Sequence, residues 1–316
     1  MPRIVLDTDL AMGAPGSDID DGFALALAHA DPDISLELVT TVNGNTDVES
    51  ATILTSELCR RLGVTAPVVK GAAAPLTRPG SRPLSPAAVA LADQVPPPAP
   101  GYAAAEIAQL VMDNPGEITL VPIGPLTNIA AALSLEPRIA ANVAEIVIMG
   151  GAFFHARSSR AMPGEFNVWV DPEAARAVLR CGAPQRWVGL DVTLQVRLTR
   201  DDAAQMSGTS TGFSPFAGAA TAAWIDHVAA QHPGSEIDRD SCPMHDPLAV
   251  AVLTRPDLVG FRPAAVEVAT GEDITRGVMI TDLLTSADAP APNCLVAQTV
   301  DAPGFRQHFL DLITGL

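Results

Sequence analysis

The chain has 316 residues, of which 48% are hydrophobic, and its formal net charge is −17. This acidic balance argues against a nucleic-acid partner and against an anionic membrane surface. No apolar stretch reaches the roughly 18 residues that a membrane span needs, and no signal-peptide pattern precedes the first predicted strand. The four cysteines are scattered and form no CxxC pair, so we interpret them as reduced thiols of a cytoplasmic protein.

Short β-like runs alternate with helical patterns along most of the chain. The predicted strands are Ile4–Asp7, Leu36–Val42, Ile118–Ile123, Glu145–Met149 and Trp187–Asp191. The predicted helices are Gly22–His29, Asp47–Leu62, Asn128–Leu133, Pro172–Arg180 and a segment around Ala217–Ala230. This alternation predicts an α/β fold with a mostly parallel sheet and helical crossovers. The Pro-rich stretch Arg78–Gly101 is interpreted as an excursion within one domain over residues 1–316.

Five aspartates lie close together near the start of the chain, namely Asp7, Asp9, Asp18, Asp20 and Asp21. The first two close a predicted strand and the last two open a predicted helix, which brings carboxylates to one edge of the sheet. Like charges at short range would force protonation, and no lysine lies near them in sequence. The simplest way to offset this repulsion is a bound divalent cation with oxygen ligands. The alternative is that Asp20 and Asp21 merely cap the helix.

Four later motifs also fall where ligands bind in such sheets, beyond the carboxyl ends of the strands. They are Thr41–Thr46, Val121–Asn128, Ile146–Gly151 with Gly164–Pro172, and Met244–Val250. In the second, Gly-Pro after a buried strand would leave carbonyls free to face a ligand. In the third, Glu165 and Asn167 would face the same way in an extended chain, which suits a polyol. Taken singly, each motif is also compatible with an ordinary turn or helix start.

Together the motifs resemble the inosine–uridine nucleoside hydrolase family. That family's pattern is DTDPGIDD, a GN after the second strand, GPLTN, then MGG, EFN and DPEAA, and finally HDP. This sequence carries, in the same order, Asp7–Asp9 with Asp20–Asp21, Gly44–Asn45, Gly124–Asn128, Met149–Gly151, Glu165–Asn167, Asp171–Ala175 and His245–Pro247. The resemblance implies a single open, mostly parallel sheet with helices on both faces, of Rossmann type. It also implies Ca²⁺-dependent hydrolysis of ribonucleosides to free base and ribose, by a homodimer or homotetramer.

The resemblance further implies a role for each matching residue. Ca²⁺ would be held by Asp9, Asp21, the main-chain carbonyl of Ile123 and Asp246. Asp9 would also be the general base for a metal-bound water, and His245 would assist departure of the base. The ribose would be held by Asp20, Asn45, Glu165 and Asn167, with Met149 lining its pocket. Trp224 and His227 are expected to reach the base pocket.

The sequence departs from the family's pattern in two loops. Ten residues, Leu10 to Ile19, separate Asp9 from Asp20, where the family has three. We expect this longer loop to lie over or beside the sugar pocket, the alternative being a solvated bulge. The loop Phe153–Pro163 has no asparagine, although many family members place one there against the ribose.

Two other functions compete with nucleoside hydrolysis. Haloacid dehalogenase phosphatases also place DxD after their first strand, but they continue DxDx[TV], and Ala11 stands at that last position. They also need a later lysine, and Lys70, the only one, has no evident context. The second alternative is a nucleoside-binding protein of the same fold that has lost activity. All the expected metal carboxylates are present, so nothing in the sequence favours this loss.

Overall fold

The computed structural model describes the chain except for residues 81, 155–158, 160, 210–211, 273 and 285–287. Strands and helices alternate through most of it. The strands are β1 Arg3–Thr8, β2 Ser35–Thr41, β3 Val68–Lys70, β4 Ile118–Pro122, β5 Glu145–Met149, β6 Gln185–Val188, β7 Arg197–Thr199, β8 Ser241–Pro243, β9 Val259–Ala264, β10 Val266–Val268, β11 Met279–Thr281 and β12 Cys294–Val300. The α-helices are α1 Asp20–Ala30, α2 Val48–Leu62, α3 Pro86–Leu91, α4 Ala103–Asp113, α5 Thr127–Leu135, α6 Ile139–Asn142, α7 Phe166–Val170, α8 Pro172–Leu179, α9 Leu190–Thr193, α10 Arg200–Ser207, α11 Ser214–Gln231, α12 Glu236–Asp240, α13 His245–Ala251 and α14 Ala302–Ile313.

Eight strands form the main sheet in the order β3-β2-β1-β4-β5-β6-β12-β9. All neighbours are parallel except β9, which runs antiparallel to β12 at one edge. The predicted open, mostly parallel sheet is therefore confirmed, with two small antiparallel pairs, β7–β8 and β10–β11, added outside it. The strand order reverses between β1 and β4, and ligands of such sheets bind at this switch point.

Two hydrophobic cores lie on the two faces of the sheet. Side chains alternate along β1, so that Ile4 and Leu6 join one core while Val5 joins the other. The first core holds Phe23 of α1 together with residues of α2, α13 and α14. The second holds Ile107 of α4 with residues of α5 and α8. The sheet is thus covered by helices on both faces, as predicted.

The predicted strand Trp187–Asp191 is wrong at its end. The strand β6 stops at Val188, and the chain turns at Gly189 into the short helix α9. A side chain at position 189 would meet the Gly151 carbonyl oxygen at 2.6 Å, so the turn packs closely on the neighbouring loop. The Asp191 carboxylate accepts hydrogen bonds from the backbone N–H groups of Phe153 and Phe154, at 2.7 and 3.0 Å. These tertiary contacts end the strand.

The four cysteines are free thiols. Burial raises the pKa of Cys59 and of Cys294 to about 12, which makes both thiols poor nucleophiles. Among the described helices, none has the length and apolar character to cross a membrane.

Candidate active site

A cavity of about 720 Å³ opens beyond the carboxyl ends of the central strands. Nine of the residues predicted for the site line it: Asp20, Asn45, Ile123, Met149, Glu165, Asn167, Trp224, His245 and Asp246. Asp9 and Asp21 are buried next to the lining residue Asn45, which donates a hydrogen bond to each. His227, which was also expected to reach the base pocket, is not among the described residues that line the cavity, and its ring stacks on that of Trp224. Residues from many parts of the sequence thus meet at one place.

Three aspartates, Asp20, Asp21 and Asp246, bring carboxylate oxygens within 4.8 Å of one another. With Asp9 they form what we call the carboxylate floor. Asp20 and Asp21 begin α1, but the helix is capped at Ile19 without a side-chain hydrogen bond, so the capping alternative is wrong. Asp246 lies in the first turn of α13, where one Asp20 oxygen accepts from the backbone N–H groups of His245 and Asp246 at 3.2 and 3.3 Å. Two helix N-termini therefore hold these carboxylates in place.

Asp9 follows β1 and occupies a slot between two glycines. Its Oδ2 accepts from the Asn45 backbone N–H at 2.6 Å, whereas its buried Oδ1 has no hydrogen-bond partner among the described residues. A Cβ atom at Gly44 would lie 2.0 Å from Oδ2, and one at Gly124 would lie 2.8 Å from Oδ1. Only glycine leaves room at both positions for the Asp9 carboxylate.

Burial and mutual repulsion govern the charge of these groups. Burial, with repulsion from Asp20, raises the pKa of Asp21 to about 7. Burial and neighbouring aspartates also raise the pKa of Asp9 and of Asp246 well above the usual range. The charges that act most strongly on Asp9 and Asp246 come from other carboxylates. Clustered, buried oxygen donors, one of them without a partner, fit a hard divalent cation such as Ca²⁺.

The predicted extended arrangement of Glu165 and Asn167 is wrong, because the segment begins the short helix α7. Glu165 is its N-cap and accepts from the backbone N–H groups of Asn167 and Val168, at 2.9 and 3.1 Å. The Asn167 side-chain amide donates to the Ile123 carbonyl at 2.7 Å and lies 3.5 Å from the Met149 sulfur. Both side chains nevertheless face the cavity.

The other end of α7 is held by Arg276, which is only 2% exposed. Its guanidinium donates to the carbonyls of Trp169 and Val170 at 3.2 and 3.4 Å, and it pairs with Glu173 at 3.2 Å. A Cβ atom at Gly277, whose φ is +74°, would lie 2.6 Å from the Trp169 Cα. A segment about a hundred residues away in sequence therefore fixes the helix that carries Asn167.

Aromatic and aliphatic side chains line one side of the far end of the cavity, beside the Arg197–Asp238 ion pair. They are Leu190, Leu194, Trp224, Val228 and Ile237, and we call this set the outer wall. The Trp224 ring stacks on the His227 ring with centroids 5.0 Å apart and an interplanar angle of 11°. An apolar, aromatic surface of this kind is suited to the flat face of a heterocycle.

His245 lies between the carboxylate floor and the outer wall. Its Nδ1 is hydrogen-bonded to the Thr193 hydroxyl at 2.7 Å, so its Nε2 is the ring atom left for a ligand. Burial lowers the pKa of His245, which favours the neutral ring at pH 7.

Sequence reasoning missed several contributors. Asn128 was predicted only as a helix start, yet its amide donates to Asp7 at 2.7 Å and to the Thr41 carbonyl at 2.9 Å. The Thr8 hydroxyl donates to Asp21. A buried carboxylate needs hydrogen-bond donors, so the predicted burial of Asp7 and Asp21 could have pointed to Asn128 and Thr8 as their partners. The loop Phe153–Pro163 lies partly outside the described residues, at 155–158 and 160.

Comparison with known proteins decides the family. Residues 4–307 match the model of the family described as inosine-uridine preferring nucleoside hydrolase. The chain belongs to this family. It is therefore a nucleoside hydrolase, an enzyme that cleaves N-glycosidic bonds, and the phosphatase alternative is not favoured.

Curated and structurally characterised relatives agree with this assignment. This nucleoside hydrolase is 36% identical to the non-specific ribonucleoside hydrolase RihC of Salmonella agona, over 96% of this chain and 95% of that protein. It is 30% identical to the purine-preferring ribonucleoside hydrolase of Gardnerella vaginalis, with a TM-score of 0.85 over 99% of this chain and 98% of the other. The plant nucleoside hydrolase PpNRh1 is 26% identical with a TM-score of 0.86, over 100% and 99% of the two chains.

Proposed function

We propose that this enzyme hydrolyses the N-glycosidic bond of ribonucleosides to free base and ribose, and that it depends on Ca²⁺. The observation that carries the proposal is the polarity of one cavity. Its inner end is the carboxylate floor, and its outer end carries the apolar outer wall beside the Arg197–Asp238 ion pair. A ribonucleoside has the matching polarity, with a hydroxylated sugar at one end and a flat base at the other.

The proposed cation ligands are Asp9, Asp21, Asp246 and the main-chain carbonyl of Ile123. The unpaired Oδ1 of Asp9 and the close approach of Asp21 to Asp246 support this set. Asp20 lies close enough to Asp21 and Asp246 to be a further candidate. A bound Ca²⁺ would offset the repulsion among the carboxylates and make water a better nucleophile.

The chain's own residues would then divide the work. Asp9 accepts the proton of the attacking water, since its carboxylate is held in place by the Asn45 backbone N–H and its Oδ1 has no hydrogen-bond partner among the described residues. Asp20, Asn45, Glu165 and Asn167 hold the ribose hydroxyls, and Met149 lines the sugar pocket. As the bond to the base breaks, the sugar becomes oxocarbenium-like, and fixed carboxylates stabilise that positive charge.

The leaving base would lie against Trp224, with His227 supporting that ring from behind. His245 would face the base through Nε2 and assist its departure by hydrogen bonding or proton transfer. The relatives include both a non-specific and a purine-preferring enzyme, so the test of function uses one purine and one pyrimidine nucleoside.

The test is incubation of purified protein with inosine and uridine, with Ca²⁺ or with EDTA, followed by assays for free ribose and free base. The proposal expects stoichiometric ribose and base with Ca²⁺ and a large loss after EDTA treatment. Binding of inosine without turnover would support the inactive binding protein instead. Full activity after complete metal removal would contradict the Ca²⁺ dependence alone. Light scattering on the same sample tests the predicted homodimer or homotetramer, and cell fractionation tests the predicted cytoplasmic location.

A further inference from the structure

The segment between Asp9 and Asp20 begins inside the protein core. Leu10 and Ala11 are fully buried and Met12 is 3% exposed. A Cβ atom at Gly22 would lie 2.3 Å from the Met12 sulfur, so α1 carries a glycine where the loop packs against it. This half of the segment is anchored in the core and is no solvated bulge.

The second half of the segment lies against α11. Gly13 and Gly16 adopt φ values of +102° and +76°, which other residues rarely take. A Cβ atom at Gly13 would lie 3.7 Å from the Phe216 ring, and one at Gly16 would lie 3.3 Å from the His227 ring. The loop therefore rests on the same helix whose Trp224 faces the cavity.

The end of the segment faces the cavity itself. Gly16, Ser17 and Asp18 are lining residues. Asp18 is half-buried, and its Oδ1 accepts from the Ile19 backbone N–H at 2.7 Å, which orients the carboxylate. It lies two residues before Asp20, whose carboxylate is within hydrogen-bonding reach of it. A fixed carboxyl group is thus available beside the carboxylate floor, on a loop that rests on the helix of Trp224.

We propose that Asp18 determines specificity, by accepting a hydrogen bond from a donor that only some nucleosides carry. The donor is either the 2′-hydroxyl of the sugar or an N–H group of the base, since both chemistries suit a carboxylate at this place. This inference rests on the proposed function and names the residue of that site which selects among substrates. Of this half of the segment, Gly16, Ser17 and Asp18 line the cavity, while Gly13 and Pro15 are exposed to solvent.

The experiment compares Asp18→Asn with Asp33→Asn, an exposed aspartate before β2 at the opposite edge of the sheet. The isosteric change keeps an acceptor for the Ile19 N–H and replaces the second carboxyl oxygen by an amide N–H group, which cannot accept. The loss of one hydrogen bond, about 1 kcal/mol, lowers kcat/KM about fivefold for the substrates that carry the donor. The substrates are inosine, 2′-deoxyinosine, uridine and 2′-deoxyuridine, and Ca²⁺ affinity is measured by calorimetry.

A loss confined to the two ribonucleosides supports the proposal and identifies the 2′-hydroxyl as the donor. A loss that differs between inosine and uridine, and is the same in their deoxy forms, supports it and identifies the base. An unchanged kcat/KM for all four substrates overturns it, as does an equal loss for all four, because Asp18 would then act on the floor and not on selectivity. A wild-type protein that neither binds nor hydrolyses inosine refutes the proposed function, and this inference with it. An active wild type with an unchanged variant refutes this inference alone.

Discussion

The inner and outer ends of the cavity are built in different ways. The carboxylate floor stands on the carboxyl end of β1 and on the first turns of α1 and α13, and its groups are 4% exposed or less. The outer wall comes from α9, α11, α12 and their connections, and Trp224 and Ile237 keep contact with solvent. Strand ends and helix starts fix polar groups to within the precision that bond cleavage needs. Helix surfaces and loops tolerate substitution. We therefore expect substitutions at the inner end to abolish hydrolysis and substitutions at the outer end to change the preference among bases.

The largest effect is expected from Asp9→Ala. Asp9 is proposed to hold the cation and to accept the proton of water, so its loss removes two functions at once. We expect kcat with inosine to fall by more than about a thousandfold, in the range seen when a central catalytic group is removed. Asp33→Ala, at an exposed site, is the control and should keep full activity. Retention of a tenth or more of kcat by Asp9→Ala would contradict the division between the two ends.

Stability of the metal-free protein should depend strongly on pH. The folded protein holds protons on Asp7 and Asp21, whose pKa values burial raises to about 7, while unfolded aspartates titrate near 3.8. Between those values the unfolded chain binds fewer protons, so the free energy of unfolding falls as pH rises. We expect the Tm of the EDTA-treated protein to drop by about 5 °C or more between pH 5.5 and pH 7.5.

Added Ca²⁺ should reverse that drop, and more so at the higher pH, because its ligands are then ionised. Scanning calorimetry at both pH values, with and without Ca²⁺, gives the four Tm values needed. If the Tm of the metal-free protein stays level or rises with pH, ionisation of the buried carboxylates does not destabilise the fold, and the prediction is wrong.

A smaller loss is expected from Asn167→Ala. The substitution removes one or two hydrogen bonds to the sugar, together with the 2.7 Å hydrogen bond to the Ile123 carbonyl. We expect kcat/KM to fall about 10- to 100-fold, since each lost bond costs about 0.5–1.5 kcal/mol. Asn142→Ala, just before β5 at the opposite sheet edge, serves as the control. A loss equal to that of Asp9→Ala would show that the two residues do not have separate roles.

The smallest effect is expected at the outer wall. Trp224→Ala removes the ring proposed to lie against the base, and aromatic contacts of this kind are worth about 0.5–1.5 kcal/mol. We expect the ratio of kcat/KM for inosine to that for uridine to change about three- to tenfold. The kcat/KM of the poorer of the two substrates should change less than that of the better one. Tyr102→Ala, an exposed aromatic before α4, is the control. An unchanged ratio would mean that the base lies elsewhere.

The helices and strands were predictable where the local sequence signals agree with the tertiary packing of the element. The helix α2 was predicted at Asp47–Leu62 and occupies Val48–Leu62, because Asp47 accepts from the Ser50 N–H at its start and Gly63 ends it with φ +75°. The strand β5 was predicted at its observed bounds. The short pairs β7–β8 and β10–β11 were not, since three-residue strands carry little periodicity and form only where tertiary contacts allow.

The candidate site was predictable for residues in ordered motifs at strand ends, such as Asn45 and Asp246. Residues that act from outside those motifs could not be found in this way. Asn128 completes the hydrogen bonding of a buried carboxylate, and Arg276 holds a helix from a remote segment. Each contact depends on how distant parts of the chain meet, which periodicity and motif spacing do not record.

The position of Arg276 in the sequence has a consequence for the order in which the site forms during synthesis. A helix of five residues, such as α7, is too short to be stable alone. Its last two carbonyls are bound by a guanidinium that leaves the ribosome about a hundred residues later. Since chains emerge N-terminus first at about 5–20 residues per second, the helix carrying Asn167 gains this support seconds after it is made. We expect nascent chains that end before residue 276 to carry most of the sheet but no ordered ribose pocket.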